Sequence, residues 1–280
     1  MDNRNYTEEL NSDLTEKLNK LKDYIEELGS LAIGFSGGVD SSFLLAVAHE
    51  VLGEKVIAVT GEDASVPERE VKEASRFCSD RGIRHIICRV DPLSEEGYRH
   101  NSPDRCYFCK HGIFTEVKRI ADENGISYMA EGSNMDDIGD YRPGLKAAAE
   151  LSVKSPLREA GLTKEEIRQI SKAMGLPTWS KPAYACLASR FVYGEEITEE
   201  KLHMIDQAEQ FLIEHGFYEE RVRLHGKMAR IEVPAKDISR LASDGIREEV
   251  YEKFKELGFM YVTLDMKGYR LGSMNDTLNH

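Results

Sequence analysis

Strand-length apolar runs alternate with helix-length amphipathic segments through the first half of the chain, and this alternation constrains the fold more than any other feature. The predicted strands contain LAIGF, KVIAVTG, IRHIICRV and ISYMAEGS. The segments between them have apolar residues that recur every three or four positions, as in helices. This order is typical of parallel strands whose connecting helices cover both faces of one sheet. The sequence therefore predicts an α/β fold.

The pattern changes near Ile197, where the alternation of strands and helices ends. Beyond this point, the alternating runs RVRLH and ARIEV lie between predicted helices at about 198–215 and 245–257, and FMYVTLD follows as a last strand. We therefore predict two domains. An α/β domain with an N-terminal amphipathic helix occupies residues 1–197, and a smaller α+β domain for substrate binding or oligomerisation occupies residues 198–280.

The charge of the chain argues against a nucleic-acid partner. The 280 residues carry a net charge of −13, and residues 198–280 hold 12 basic against 16 acidic side chains. A field of this sign repels a phosphate backbone. The sequence also shows neither an apolar run of the roughly 18 residues that span a bilayer nor a signal-peptide pattern. We expect a cytoplasmic protein that binds neither nucleic acid nor a membrane.

A glycine-rich loop, SGGVDSS, stands between the first predicted strand and the next predicted helix. At such a junction backbone N–H groups bind an anion, glycines allow its close approach, and Asp40 is placed to hold Mg²⁺ on phosphate oxygens. The loop lacks the lysine of a GxxxxGK[ST] motif. It resembles the signature of the PP-loop ATP pyrophosphatases, which implies ATP binding and adenylation of a substrate oxygen. The predicted ATP-binding residues in the loop are Ser36, Gly37, Gly38, Asp40, Ser41 and Ser42.

Two further side chains are expected beside this loop. Ligands bind beyond the carboxyl ends of parallel strands. Thr60 ends the second predicted strand and Glu131 follows the fourth, so both should lie at the same edge of the sheet as Ser36. We assign Thr60 to the ATP site, and we expect the loops at this edge to carry the function.

Three of the five cysteines lie outside the apolar runs. Cys106 and Cys109 form a CxxC pair at the start of a predicted helix, where negative charge is favoured, and Cys186 follows in ACLASR. A CxxC pair alone fits a redox pair, a zinc site that includes His111, or an iron–sulfur cluster. With Cys186 as a third thiol, the ligand count favours a cluster over zinc. The two remaining cysteines are interpreted as buried packing residues, Cys78 and Cys88.

Five longer segments identify a family. In chain order they are SGGVDSS, NSPDRCYFCK, EGSNMDDIGDYRPG, KPAYACLASRFVYGEEIT and RVRLHGKMARIEV. Over about residues 31–265 they resemble the LarE family, the sulfur transferases that mature the nickel-pincer nucleotide cofactor of lactate racemase. The resemblance implies adenylation of the carboxylates of pyridinium-3,5-biscarboxylic acid mononucleotide and their conversion to thiocarboxylates.

The sulfur source differs between two versions of this family. One version gives up the sulfur of a single cysteine, and the other uses a [4Fe-4S] cluster held by three cysteines. Cys186 matches the position used by both, and the presence of Cys106 and Cys109 makes this sequence resemble the cluster version. Three thiolates leave one iron open to an extra sulfide, which a sulfide donor would replenish. The resemblance also implies a ring-like homo-oligomer.

A pyridinium mononucleotide carries a phosphate and two carboxylates, which cationic and hydroxyl side chains bind well. Arg221 and Arg223 stand two positions apart on a predicted strand and so face the same side. The acidic loop after the fourth strand, from Glu131 onward, also offers Asp136 and Asp140 for Mg²⁺ or substrate. The predicted substrate-binding residues are Asp137, Arg142, Ser189, Arg190, Arg221 and Arg223. The aromatic candidates for stacking on the pyridinium ring are Trp179 and Tyr184. The predicted catalytic residues are Cys186, Cys106, Cys109 and Asp40.

Three other functions share parts of this pattern. A PP-loop tRNA thiolase also carries a CxxC pair and a distant third cysteine, but the acidic second domain lacks the charge that binds RNA. An amide-forming PP-loop ligase would give the three cysteines no role. A non-catalytic protein that senses nucleotide through the loop and holds zinc through the cysteines fits the same residues, and metal analysis separates it from the enzyme.

Overall fold

The chain forms two compact units in a computed structural model that describes residues 6–138, 143–182 and 185–270. The first unit comprises the described residues of 1–63, 68–92 and 106–184. The second unit comprises the described residues of 64–67, 93–105 and 185–280.

The first unit contains a four-stranded parallel sheet in the order β3-β2-β1-β4. Pairs such as Gly34 with Val59 and Ala32 with Met129 set the register of the central strand against its neighbours. All four strands were predicted, and the α/β fold class is confirmed. The strands are β1 Leu31–Gly34, β2 Val56–Glu62, β3 Arg84–Arg89 and β4 Tyr128–Ala130.

Helices cover both faces of this sheet. Leu31 and Ile33 of β1 belong to one apolar core, and Ala32 between them belongs to another, because successive strand residues point to opposite faces. The helices, numbered in chain order, are α1 Ser12–Leu28, α2 Val39–Leu52, α3 Glu68–Ser79, α5 Arg105–Glu123, α6 Pro143–Glu150, α7 Pro156–Glu159 and α8 Lys164–Ala173. The first core receives side chains from α1, α2, α3 and α8, and the second receives them from α5 and α6.

Residues at the ends of α1 and α8 cap these two helices. Asn11 accepts a hydrogen bond from the Leu14 N–H at 2.8 Å and begins α1, and Gly29 ends that helix with a φ of +71°. Thr163 and Glu166 form a capping box at the start of α8. Among the helices of the described residues, none combines the length and apolar character that crossing a bilayer requires.

The second unit is built around a small mixed sheet in the order β5-β6-β7, with the first pair antiparallel and the second parallel. This confirms the prediction of a second, smaller α+β unit. Its strands are β5 Arg221–His225, β6 Met228–Glu232 and β7 Tyr261–Leu264. Its helices are α4 Glu96–Arg99, α9 Glu199–Glu214, α10 Ile238–Leu241 and α11 Ile246–Glu256.

The boundary predicted between residues 197 and 198 falls inside this second unit. Residues 185–197 hydrogen-bond to other parts of the same unit. The Leu187 N–H donates to the Ser65 carbonyl at 2.9 Å, and the Asn101 side chain donates to the Val192 carbonyl at 2.7 Å. These long-range bonds also explain why two short earlier segments belong to the second unit.

Cys78 and Cys88 are buried, as predicted for packing residues. Burial raises the pKa of Cys78 to about 12, and burial likewise raises the pKa of Cys88. Both thiols therefore stay protonated at neutral pH and are poor nucleophiles and metal ligands.

Candidate active site

The SGGVDSS loop connects β1 to the N-terminus of α2, where Gly38 is the N-cap and no side chain caps the helix. The Ser36 and Ser41 hydroxyl oxygens lie 3.1 Å apart, and the Gly38 N–H donates to Ser36 Oγ at 3.4 Å. Gly37 has a φ of +69°, and a Cβ there would lie 3.3 Å from Ala74 Cβ on α3. The loop therefore needs glycine at this turn and leaves backbone donors facing a potential anion.

The segment after β4 lies directly against the first turn of α2. A Cβ on Gly132 would come within 2.9 Å of the Ser41 backbone nitrogen, so only glycine allows this approach. Asn134, two residues later, donates through its side-chain amide to Asp40 Oδ1 at 3.3 Å. The carboxyl ends of β1 and β4 thus meet where the sequence predicted.

A lysine from α8 supplies the cation that the loop lacks. Lys164 Nζ forms an ion pair with Asp40 Oδ2. The backbone N–H of Lys164 donates to Asp136 Oδ2 at 2.9 Å. The backbone N–H of Asn134 donates to the buried carboxylate of Asp137, also at 2.9 Å. Asp137 and Asp136 therefore support the two residues that bind Asp40.

Lys164 was not among the predicted site residues. It stands 124 residues after Asp40, and its sequence context signals only the start of a helix. Trp179 is exposed, with the Lys172 ammonium 5.0 Å from its ring centre. The remaining candidates of this region lie outside the described residues: Asp140, Arg142 and Tyr184.

Thr60 fixes the end of β1 against β2. Its buried hydroxyl donates to the Phe35 carbonyl at 2.7 Å and lies 2.8 Å from His85 Nε2. Because the single hydroxyl proton is used on Phe35, His85 must donate to the Thr60 oxygen from Nε2. Burial lowers the pKa of His85, so the ring stays neutral near pH 7. Thr60 thus holds the residue that precedes Ser36.

Two other polar side chains of this edge are buried. Glu131 accepts hydrogen bonds from the Ser133 and Ser155 hydroxyls at 2.7 and 2.8 Å, and Lys110 Nζ lies 3.9 Å from its carboxylate. Ser42 is fully buried in the first turn of α2, and its hydroxyl has no hydrogen-bond partner within the described residues. Ser36 and Ser41, whose hydroxyl oxygens lie 3.1 Å apart, therefore remain the candidate hydroxyl donors of the loop.

The CxxC pair occupies the first turn of α5, as predicted. Cys106 is exposed and Cys109 is partly exposed, and none of the five cysteines forms a disulfide. Positions three apart on a helix place their Cβ atoms roughly 5–6 Å from each other. Within the part of the chain that the structure describes, no group of three His, Cys, Asp or Glu side chains is arranged to hold a metal ion.

In the second unit, Cys186 is the N-cap of a short 3₁₀ helix, Leu187–Arg190, and is partly exposed. The Arg190 side chain hydrogen-bonds to the backbone of this turn. Its Nη1 atom donates to the carbonyls of Ala185 and Cys186 at 2.7 and 3.3 Å and to Ser189 Oγ at 2.8 Å. The guanidinium therefore fixes the backbone that carries the thiol.

Arg190 is 1% exposed and forms a two-pronged ion pair with Glu209 of α9, with both N–O distances 2.8 Å. Burial opposes the charge of Arg190, but Glu209 and then Cys186 favour it, and the pKa of Arg190 is raised. Glu209 also accepts the Val222 N–H at 2.9 Å and so ties the turn to β5. Arg190, predicted to bind substrate, has its donors bound within the protein.

Arg221 and Arg223 are also buried. Arg223 donates to Glu232 through Nε and Nη2 at 3.1 and 3.0 Å, and to the Ser189 carbonyl through Nη1 at 3.0 Å. Arg221 lies over the ring of Tyr269 at 4.9 Å. The structure thus brings four predicted residues of this unit into one network, namely Cys186, Ser189, Arg190 and Arg223.

We expect Glu209→Gln to lower the free energy of unfolding by about 3–5 kcal/mol at pH 7, because Arg190 would remain buried without its counter-ion. Burial opposes the charge of Glu209, but Arg190 favours it, and the pKa of Glu209 is lowered. The pair therefore stabilises the fold above the unfolded-state pKa of about 4.3. This stabilisation is lost as the pH falls through the folded-state value.

Urea denaturation at several pH values measures this effect. Glu214→Gln, at an exposed position of the same helix, is the control and should change the free energy of unfolding by less than about 0.5 kcal/mol. Equal effects of the two substitutions would show that the Arg190–Glu209 pair does not stabilise the turn.

Comparison with known proteins gives both partial and extended matches. Residues 14–112 match the family model described as NAD synthase. The chain is 41% identical, over 95% of its length and 99% of the relative, to an uncharacterized protein of Synechocystis sp.. It is 35% identical, over 91% of its length and 92% of the relative, to the pyridinium-3,5-bisthiocarboxylic acid mononucleotide synthase of Lactiplantibacillus plantarum. Over 56% of its length and 34% of the relative, it is 26% identical to the glutamine-hydrolyzing GMP synthase of Chlamydia muridarum.

The matches differ in which candidate site residues they cover. The NAD synthase model covers the SGGVDSS loop and the CxxC pair but ends at residue 112, before Cys186 and the arginine network. The Synechocystis and Lactiplantibacillus relatives match more than nine-tenths of the chain. The stretches matched by these two relatives therefore include both the SGGVDSS loop and Cys186.

Proposed function

Because the chain belongs to the family of the pyridinium-3,5-bisthiocarboxylic acid mononucleotide synthases, the LarE family, we propose that it is an ATP-dependent sulfurtransferase. Its substrate is pyridinium-3,5-biscarboxylic acid mononucleotide, whose carboxylates become thiocarboxylates for the nickel-pincer nucleotide cofactor of lactate racemase. The observation that carries the proposal is the Cys186 turn, where a fully buried Arg190–Glu209 pair fixes the backbone that carries a partly exposed thiol. A ligase that only adenylates its substrate has no need of such a thiol.

Adenylation is assigned to the first unit. A substrate carboxylate oxygen attacks the α-phosphorus of ATP, the bond to the β-phosphate oxygen breaks, and pyrophosphate leaves. The N–H groups at the start of α2 and the hydroxyls of Ser36 and Ser41 bind the phosphates. Asp40 is the ligand for Mg²⁺, and its carboxylate, partly exposed at the helix N-terminus, fits a hard cation that prefers oxygen. In the absence of Mg²⁺, Lys164 neutralises the charge of Asp40. When Mg²⁺ takes over the Asp40 carboxylate, the Lys164 ammonium becomes available to a phosphate oxygen.

Sulfur delivery is assigned to Cys106, Cys109 and Cys186. The donor set fits an iron–sulfur cluster, because the three thiols are all at least partly exposed and two share one helical turn. We propose that the three thiolates bind a [4Fe-4S] cluster. Such a cluster would supply a sulfide to replace the adenylated oxygen of the substrate carboxylate, so that no cysteine is consumed and the oxygen departs with AMP.

Substrate binding is assigned to the residues that the sequence indicated. Arg221 and Arg223 are the proposed cations for the substrate phosphate, with Ser189 beside them, and Asp137 and Arg142 act from the acidic loop. Arg190 and Arg223 are bound to buried glutamates. We propose that they orient the Cys186 turn and also orient a bound ligand. We also propose a cytoplasmic location, where thiols stay reduced, a homo-oligomeric assembly and an external sulfide donor.

A single-vessel conversion tests the proposed function. Anaerobic protein loaded with iron and sulfide is mixed with ATP, Mg²⁺, sulfide and the biscarboxylate mononucleotide, and the products are identified by mass spectrometry. We expect AMP, pyrophosphate and a substrate in which oxygen is replaced by sulfur, with more than one product per chain. AMP formation without sulfur incorporation would contradict the proposal and leave an adenylating enzyme.

A further inference from the structure

Lys181 is a largely buried lysine that the proposed reaction does not use. Its side chain is 13% exposed. The ammonium donates to the Gly37 carbonyl at 3.3 Å, to Glu70 Oε2 at 2.7 Å and to Glu73 Oε2 at 2.8 Å. An ammonium group has three N–H donors, and all three are used here. Lys181 therefore acts on the loop through the Gly37 carbonyl.

The bond to this carbonyl fixes one peptide plane of the anion-binding loop. In a trans peptide the Gly37 carbonyl and the Gly38 N–H point in opposite directions, and the described chain contains no cis peptide. A cation on the carbonyl side therefore directs the Gly38 N–H to the other side, where Ser36 Oγ lies at 3.4 Å. The same bond polarises the peptide and makes that N–H a stronger donor.

Without this bond the peptide is held only by the long 3.4 Å hydrogen bond from the Gly38 N–H to Ser36 Oγ. It joins two glycines, and neither has a Cβ that restricts rotation of the peptide plane. A rotated peptide would present a carbonyl oxygen in place of an N–H, which repels phosphate. The orientation of this one plane therefore decides whether the loop attracts or repels the nucleotide phosphates.

Two helices hold Lys181 in place. Glu70 and Glu73 stand one turn apart on α3, and Arg168 of α8 donates to the carbonyls of Trp179 and Lys181 at 2.5 and 2.8 Å. Burial opposes the lysine charge, but hydrogen bonds to Glu70 and then Glu73 favour it, and the pKa of Lys181 is raised. A raised pKa keeps the ammonium charged below its unfolded-state value of about 10.4, across the working range of the enzyme.

We propose that Lys181 is a positioning residue of the nucleotide site, which together with Glu70 holds the Gly37–Gly38 peptide in the orientation that binds ATP phosphates. The inference rests on the proposed function only in taking ATP as the ligand of the loop. Lys181 acts through the peptide and has no contact with the reacting atoms.

Nucleotide binding tests this role directly. Lys181→Met is expected to raise the dissociation constant of α,β-methylene-ATP with Mg²⁺ at least about tenfold, because a charge-assisted bond to the loop is lost. The KM for ATP should rise by a similar factor, while the KM for the pyridinium mononucleotide stays unchanged. A general loss of structure would change both KM values and the melting temperature.

Lys72→Met is the matched control, because Lys72 lies on the same helix α3 but is exposed and pairs only with Glu68 among the ion pairs of the described residues. Its affinity for the analogue should equal that of the wild type. Should Lys181→Met fail to fold, Glu70→Gln decides the matter, with a several-fold weaker affinity expected. Wild-type affinity in the folded variant would overturn the proposal.

The two proposals fail in different ways. A wild-type protein that binds the analogue but does not adenylate the pyridinium mononucleotide would remove the proposed substrate and leave the role of Lys181 intact. An active enzyme in which Lys181→Met binds the analogue as tightly as the wild type would remove the role of Lys181 alone.

Discussion

We expect the Cys186→Ala variant to release pyrophosphate from ATP at a rate close to that of the wild type and to form no detectable thiocarboxylate. The groups proposed to adenylate the substrate belong to the first unit, whereas Cys186 lies in the second, at the turn held by Arg190. Alanine keeps the backbone of that turn and removes only the thiol. Pyrophosphate release and mass spectrometry of the substrate, measured in the same reaction, separate the two steps.

Cys78→Ala is the control for this experiment. Cys78 is buried, and its pKa of about 12 keeps the thiol protonated. Its removal should leave both steps intact, apart from a loss of stability. Loss of pyrophosphate release in Cys186→Ala would contradict the division of roles, and thiocarboxylate formation in that variant would show that Cys186 is not part of the sulfur-delivery site.

The Asp40→Asn variant is expected to lose adenylation by about 10²–10³-fold, the range seen when one electrostatic group is removed from a site that stabilises developing charge. Asparagine cannot neutralise Mg²⁺, and it leaves Lys164 without its carboxylate partner. The rate of ATP–pyrophosphate exchange with the biscarboxylate substrate, measured across Mg²⁺ concentrations, reports the loss.

Asp13→Asn is the matched control, because Asp13 is an exposed carboxylate on α1 that lies 3.6 Å from Lys17. It should exchange pyrophosphate like the wild type. An Asp40→Asn variant that retains exchange within about threefold would contradict the assignment of Asp40 as the Mg²⁺ ligand, since that change in rate corresponds to less than about 1 kcal/mol.

The fold of the first unit could be predicted because its signals are local. The helical spacing of Leu14, Leu18 and Leu21, and the capping residues Thr163 and Glu166, act over one or two turns. The position of the SGGVDSS loop follows from the same local order, since it joins a strand to a helix. Local periodicity was therefore enough to predict the strands and helices, their order and the location of the anion-binding loop.

The side-chain partners within the site could not be predicted, because they come from distant parts of the chain. Lys164 reaches Asp40 across 124 residues, and Lys181 reaches Gly37 across 144. Neither lysine stands in a segment whose spacing signals a ligand. Charge pairing of this kind depends on tertiary packing and leaves no periodic pattern in the sequence.

Arg190 is a residue that the sequence did single out but whose partner it did not reveal. It was predicted to bind substrate, and the structure shows its Nη1 atom hydrogen-bonded to the carbonyls of Ala185 and Cys186. The sequence does not reveal that Glu209, 19 residues later, binds the guanidinium in a fully buried pair. The sequence therefore identified Arg190 as a candidate, but only the fold shows that Glu209 is its partner.

The proposal that Cys106, Cys109 and Cys186 bind one iron–sulfur cluster is tested most directly by iron and acid-labile sulfide measured after anaerobic reconstitution. We expect about four iron atoms per wild-type chain and a loss of most of that iron in the Cys106→Ser, Cys109→Ser and Cys186→Ser variants, but not in Cys78→Ser. A Cys186→Ser variant that keeps the wild-type iron content, or wild-type protein that binds stoichiometric zinc in place of iron, would contradict the account.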